Sequence, residues 1–215
     1  RAVSERIRAS LSTQGITENV SVLPVFVEMD KLEKSIPLDR SREYPQFTKL
    51  VLVVSRFEPE KNVAVAIRAF AEIRKTLSGA GLILLGDGSE KKNLETLVRE
   101  LGLTESVIFA GYQSPYSYYK SADLLLVTSD FEGYGMTIIE ALYAGCPVVS
   151  FDVGVAKEAG AIIVKNDTVV QTTIAVLSEG KRGKLALSLP SEIEYRDMWR
   201  SEIASSFAET RVSQT

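Results

Sequence analysis

No histidine occurs among the 215 residues, and cysteine occurs once, at Cys146. The first absence removes histidine-based triads and the usual zinc sites. The second removes any disulfide framework and makes a reducing, cytoplasmic setting the expectation. Beside Pro147 and leading into an apolar run, Cys146 reads as a small buried residue rather than a nucleophile. Basic clusters of five or more residues are missing too, and the formal net charge is −3. That balance argues against a nucleic-acid partner, which selects for a basic face. No apolar run approaches the roughly 20 residues of a membrane span, and no leader pattern is visible. What is present is ordinary for a globular protein, 45% hydrophobic and 25% charged. The length suits one domain with additions, or two small ones.

The regular part of the chain begins near residue 46. Continuous apolar runs at 50–55, 82–85, 107–109, 124–128, 148–151 and 161–164 predict strands covered on both faces. Between them the apolar spacing turns helical. Val63, Ile67, Phe70, Ile73 and Leu77 form one stripe, with Asn62 as the expected cap. Leu94, Leu97, Val98 and Leu101 form another, capped by Ser89, braced by a Glu95–Arg99 pair and stopped by Gly102. Ser114-Pro115 opens a short helix, residues 138–144 are the core of a fourth, and 168–177 and 193–207 close the chain. Strands alternating with helices predict an α/β fold: a Rossmann-like parallel sheet of about six strands with helices on both faces. Residues 1–11 read as a helix, 20–27 as an apolar run, and 28–45 as a polar connection. The chain opens on Arg1 inside what reads as a helix, which suggests a fragment or a processed chain.

In such a sheet ligands bind at the carboxyl ends of strands, so the loops 56–61, 86–88, 111–113 and 130–135 should line one edge. Arg56 and Lys61 follow the first strand with four residues between them, a planar fork and a point charge able to neutralise a diphosphate. Each cation taken alone reads better as a solvated surface charge. Gly133 and Gly135 lie where a loop becomes a helix, and the free N–H groups of a helix start favour phosphate. Glu132 and Glu140 bracket that point with seven residues between them. Ionised carboxylates only accept hydrogen bonds, and vicinal diols need acceptors. Gly86-Asp87-Gly88 lacks the third glycine of a dinucleotide fingerprint, where Lys91 stands, and reads as a tight turn with amides near the ligand. Tyr112, Tyr116, Tyr118 and Tyr119 could offer a base-stacking face, though most of them read better as packing of the short helix against the sheet.

Ser55-Arg56-Phe57-Glu58-Pro59-Glu60-Lys61-Asn62, Leu85-Gly86-Asp87-Gly88, Val107-Ile108-Phe109-Ala110-Gly111, Ala122-Asp123-Leu124 and Glu132-Gly133-Tyr134-Gly135 through Glu140-Ala141-Leu142 and Ala144-Gly145-Cys146-Pro147-Val148 together resemble the retaining glycosyltransferases of family four, the glycogen-synthase-like GT-B enzymes. The likeness covers residues 49–164 with five motifs in order. It implies the C-terminal, donor-binding half of a hexosyltransferase-type enzyme. By that resemblance Arg56 and Lys61 grip the diphosphate of a nucleotide sugar, and Glu132 contacts the transferred sugar. The backbone of Gly133, Tyr134, Gly135, Met136 and Thr137 approaches the distal phosphate, Glu140 binds the ribose, and Tyr112 and Gln113 lie near the base. No metal or other cofactor is implied, because cations and a helix end stabilise the leaving diphosphate.

The resemblance further implies domains at 1–45 (the end of an N-terminal domain plus linker), 46–180 (donor binding) and 181–215 (a helical extension that packs back on the N-terminal domain). An acceptor glycan, lipid or small molecule would bind through that other half, as would any peripheral membrane contact. An isolated donor half would turn over little or nothing. One departure is Asp152-Val153-Gly154-Val155-Ala156-Lys157-Glu158, where Val155 replaces the family's second glycine and leaves Glu158 without an assured role. Two alternatives stay open: half of a nucleotide-sugar epimerase, and a non-catalytic nucleotide-binding module.

Overall fold

The computed structural model describes residues 1–18 and 20–212, with side chains to residue 204. It divides into two compact units, Met29–Leu187 and the paired segments Arg1–Glu28 and Ser188–Thr215.

The larger unit is built on strands β1 (Lys49–Val54), β2 (Ala80–Leu85), β3 (Val107–Gly111), β4 (Leu124–Val127), β5 (Val148–Ser150) and β6 (Ile162–Ile163). They form one parallel sheet in the order β3-β2-β1-β4-β5-β6. The six-strand Rossmann-like expectation is met. The central strands are apolar on both sides because helices cover both faces, whereas the edge strand β6, expected to be covered as well, leaves Ile162 and Ile163 exposed. Val51, Val53, Leu82, Leu84, Leu124 and Leu126 alternate onto one face and pack in a single core with Ile67, Phe70 and Ile73 of α4 (Val63–Thr76). Leu94, Leu97 and Val98 of α5 (Lys91–Glu100) and Val169 and Leu177 of α9 (Val169–Glu179) complete that core. Each fully buried side chain of this size stabilises by about 1.5–3 kcal/mol. The opposite face meets α6 (Tyr116–Ser121), against β1, and α7 (Met136–Tyr143), against β4 and β5. A short α8 (Ala156–Ala159) follows β5.

Residues 29–45, expected to be an irregular connection outside the donor domain, belong to this unit. They hold two short helices, α2 (Asp30–Lys34) and α3 (Arg40–Glu43). Side chains of α6 and β4's entry fasten them: Lys120 Nζ donates to Glu33 O at 2.9 Å and Ser35 O at 2.6 Å, Leu38 N to Ser121 Oγ at 2.7 Å. Arg40 Nη1 lies 3.0 Å from Asp123 Oδ2. Residues 181–187 stay with the sheet as well, through Gly183 N to Gly145 O at 2.9 Å.

Two expected caps serve other partners. Asn62 adopts φ +49° and its amide donates to Asp130 Oδ1 at 3.2 Å, so it ties two loops together. Ser89 Oγ donates to Glu58 Oε2 at 2.7 Å, and α5 starts two residues later without a side-chain cap. Neither does Ser114 cap α6, whose N-cap position is Pro115. Arg99 donates to Thr96 Oγ1 at 2.9 Å, the neighbour one turn back.

In the smaller unit, α1 (Glu5–Thr13) is capped by Ser4, which accepts from Ile7 N, and Ala2 bridges to Val22. Helix α10 (Glu192–Val212) carries the expected 193–207 segment. Trp199 lies beneath the Arg1 guanidinium, 4.4 Å from the ring centroid, while Ile193, Met198 and Ile203 are exposed.

Candidate active site

The chain leaves β1 for β2 and β3 on one side, then returns to add β4 on the other. Between the carboxyl ends of β1 and β4 the strand order reverses, which opens a crevice there. Two cavities occupy it, of about 590 Å³ and about 270 Å³, and both are lined by Val54, Ser55, Arg56 and Thr137. The larger runs toward Gly86, Asp87, Tyr112 and Gln113 and is also lined by Lys31 of α2. The smaller runs toward Lys61, Glu132, Tyr134, Gly135 and Met136.

Lys61 ends a 3₁₀ turn, Pro59–Lys61, that follows β1. Its ammonium lies 2.8 Å from Glu132 Oε1 and 3.4 Å from Phe131 O. Ser129 Oγ donates to the same Glu132 oxygen at 2.9 Å. Both charged side chains are largely covered, 13% and 19% exposed, so water screens the pair weakly. Arg56 is different. It is exposed and pairs with Glu60 at 3.2 Å, an i,i+4 contact of the kind worth under about 0.5 kcal/mol. Its guanidinium is therefore free to turn into the crevice.

Gly135 starts α7 with φ +96°. The first hydrogen bond of that helix start runs from Ile138 N to Gly135 O, so the amides of Met136 and Thr137 precede it and face the crevice end of the dipole. The approach to this point is held by Gly154. A Cβ there would fall 2.3 Å from Tyr134 O, and the next residue, Val155, donates its N–H to that carbonyl at 2.9 Å. Gly133, by contrast, faces open space.

Glu140 sits one turn beyond Thr137, lines neither cavity, and is half-buried. Burial pushes its carboxyl above the usual range, opposed by the Tyr119 hydroxyl, which donates to Oε2 at 3.1 Å. Of the four tyrosines, Tyr118 and Tyr119 are buried, Tyr116 walls the larger cavity, and Tyr112 stands 91% exposed at its rim. Gln113 is turned back, its Nε2 donating to Ala110 O at 2.9 Å.

The turn after β2 lies beside the larger cavity, but the amides of Gly86 and Gly88 are engaged within the protein. Gly86 N donates to Gly111 O, and Gly88 N to Asp87 Oδ1 at 2.8 Å, so these amides already have acceptors. The glycines serve the backbone crossing instead: a Cβ on Gly86 would fall 1.8 Å from Ser55 O, and one on Gly88 2.5 Å from Phe57 O. Gly88 faces that crossing, while Gly86 and Asp87 still line the larger cavity. The Asp87 carboxyl is held below its usual range by Gly88 N–H and Lys91. Cys146 is fully buried, which pushes its thiol up to about 12. Glu158 is exposed.

Sequence reasoning brought Arg56, Lys61, Glu132 and the 133–137 loop together, and the structure does the same. It missed Ser129, Lys31 and the hydroxyl of Tyr119, and it singled out Gly154 only as a motif glycine, without its contact to Tyr134. Ser129 carried a local signal, three residues before Glu132. The others reach the site from distant points of the chain.

Fold and site define a parallel α/β domain with a crevice at the switch point of its sheet, lined by Arg56, Lys61 and the start of α7. Residues 38–173 match the family model described as glycosyl transferases group 1, and the chain belongs to that family. It is 31% identical over 157 residues to an alpha-monoglucosyldiacylglycerol synthase of Streptococcus pneumoniae, covering 68% of this chain and 36% of that protein. It is 37% identical over 105 residues to a 4-alpha-N-acetylgalactosaminyltransferase of Campylobacter jejuni that acts on a diphospho-undecaprenol-linked sugar, covering 48% of this chain and 28% of that protein. Among solved structures it superposes on Anabaena HepE in complex with UDP-glucose with a TM-score of 0.70 and 25% identity, over 83% of this chain and 52% of that one. The chain thus spans about a third of the length of these curated relatives. Among the described residues no helix is long and apolar enough to cross a membrane, and no three acidic or cysteine side chains gather as a metal site.

Proposed function

We propose that this chain is the donor-binding part of a glycosyltransferase that takes a hexose from a nucleoside diphosphate sugar with retention of configuration, in the manner of family four. The carrying observation is the crevice itself. Lys61, Arg56 and the open amides of α7 converge on one point, with an acid, Glu132, on one side and a base-sized cavity on the other. A diphosphate placed there meets two cations and a helix N-terminus, which together stabilise the charge that develops as the glycosidic bond to phosphate breaks.

In this reading Glu132 accepts hydroxyls of the transferred sugar, and Gly133 to Thr137 pass the distal phosphate along the backbone. Glu140 takes the ribose diol, and Tyr112 and Gln113, once the latter releases Ala110 O, border the base. Gly86 and Asp87 form the far wall. The leaving diphosphate oxygen receives the acceptor's proton, so no carboxylate acts as nucleophile and no metal is required. Glucosyl and N-acetylgalactosaminyl transfer in the named relatives, and UDP-glucose bound to HepE, support a UDP-hexose donor. The acceptor, a glycan, lipid or small molecule, would be held by a second Rossmann-like domain.

Calorimetric titration of the chain with a panel of uridine, adenosine and guanosine diphosphate sugars tests the reading. Micromolar to millimolar binding of one of them is expected, and no heat from any overturns it.

A further inference from the structure

We infer that Tyr119 is a positioning residue for the nucleotide's ribose: its buried hydroxyl fixes the Glu140 carboxylate so that one oxygen is presented to the vicinal diol. The inference rests on the donor-site reading above.

Glu140 projects from α7, and the terminal torsion of a glutamate is broad and roughly two-fold. Left to itself, the carboxylate would sample many orientations, and ordering it on binding would weaken affinity. Tyr119 removes that freedom. Its ring is fully buried on α6, and its N–H is held by Pro115 O at 2.9 Å. The next residue, Lys120, clamps α6 to the carbonyls of Glu33 and Ser35. From that fixed base the phenol donates to Oε2 at 3.1 Å, and among the described residues no side chain donates to Oε1. A half-buried carboxylate with one oxygen tied and one open is arranged to grip a diol. The hydroxyl also favours the ionised form that burial opposes. Helix α6 carries both features at once: Pro115 and Tyr116 wall the larger cavity, and Tyr119 lies one turn on.

A ring merely filling the core would act on folding and on all ligands alike. A positioning hydroxyl acts only on ligands that carry the diol, and this difference is measurable. UDP, ADP and GDP are titrated into the 215-residue chain, and the tightest binder is compared with its 2′,3′-dideoxy analogue. In the unaltered chain the analogue should bind about tenfold more weakly or worse, the loss expected for hydrogen bonds to a charged acceptor. Tyr119→Phe should cut that ratio by about threefold or more and leave the analogue's affinity within about twofold. In a Glu140→Gln background the same change should not alter the ratio further.

A ratio that survives Tyr119→Phe, or affinities that fall in parallel, overturns the inference alone. So does a Tyr119→Phe chain that no longer folds, since the ring is retained. Binding of none of the three nucleotides overturns the donor reading itself, and the inference falls with it.

Discussion

Lys61 Nζ lies 2.8 Å from Glu132 Oε1, so the cation assigned to the diphosphate and the acid assigned to the sugar hold each other while the crevice is open. A ligand phosphate must therefore compete with a carboxylate for the same ammonium. Replacing Glu132 with Gln removes the competitor's charge and keeps its shape. Nucleoside diphosphate affinity should rise about threefold, while sugar transfer by the complete enzyme falls about a hundredfold or more. A loss of nucleotide affinity in Glu132→Gln, measured by calorimetry, would contradict this division of roles.

Glu140 gives a pH signature. Its folded-state carboxyl is raised above the ordinary 4.5 by burial. Between 4.5 and the raised value the native state holds more protons than the unfolded one. Stability therefore falls as pH rises through that window, and the penalty is fully present above it. Glu140→Gln removes the ionisable group and keeps an oxygen for the Tyr119 hydroxyl. Its gain in Tm should be larger at pH 8 than at pH 4. Equal shifts at the two pH values would sink the assignment.

Gly154 and Gly133 should respond oppositely to alanine. At Gly154, with φ +51°, the added Cβ would meet Tyr134 O at 2.3 Å, and the loop carrying Glu132 would have to move. The expected cost is about 2 kcal/mol or more in urea unfolding. Gly133 faces open space, so Gly133→Ala should stay within about 0.5 kcal/mol of the parent and act on nucleotide-sugar affinity instead. Similar destabilisation by both would show that the loop is shaped for folding alone.

Cys146, with its thiol pushed up to about 12 by full burial, should resist thiol reagents at pH 8 in the folded chain. Reactivity with an aromatic disulfide should appear only on unfolding in guanidinium. Rapid labelling of the native protein would place the residue nearer solvent than its packing against β4's entry allows.

The sheet was legible because its signal is local. A strand covered on both faces must be apolar throughout, and residues 50–54, 82–85 and 124–127 are. The crevice followed from topology, since every parallel strand ends at the same edge. Side-chain partners were not legible where they lie far along the chain. Asn62 and Ser89 look like helix caps in isolation, yet Asp130 and Glu58 claim them. Gly86-Asp87-Gly88 reads as a tight turn with amides near the ligand, whereas the close passage of Ser55 and Phe57 is what requires its glycines. The domain limit near residue 45 was not legible for the same reason: distant partners such as Lys120, Ser121 and Asp123 bring residues 29–45 into the compact unit of the sheet. Tyr119 and Glu140 are 21 positions apart, and no periodicity connects a tyrosine of one helix to an acid of the next.

The most direct test is the affinity of the best-bound nucleotide sugar for the parent chain and for the Arg56→Ala, Lys61→Ala double variant. A diphosphate held at the β1–β4 crevice predicts a loss of about a hundredfold or more, two charge-assisted contacts removed. Unchanged affinity in a folded double variant would place the ligand elsewhere and contradict the proposed function.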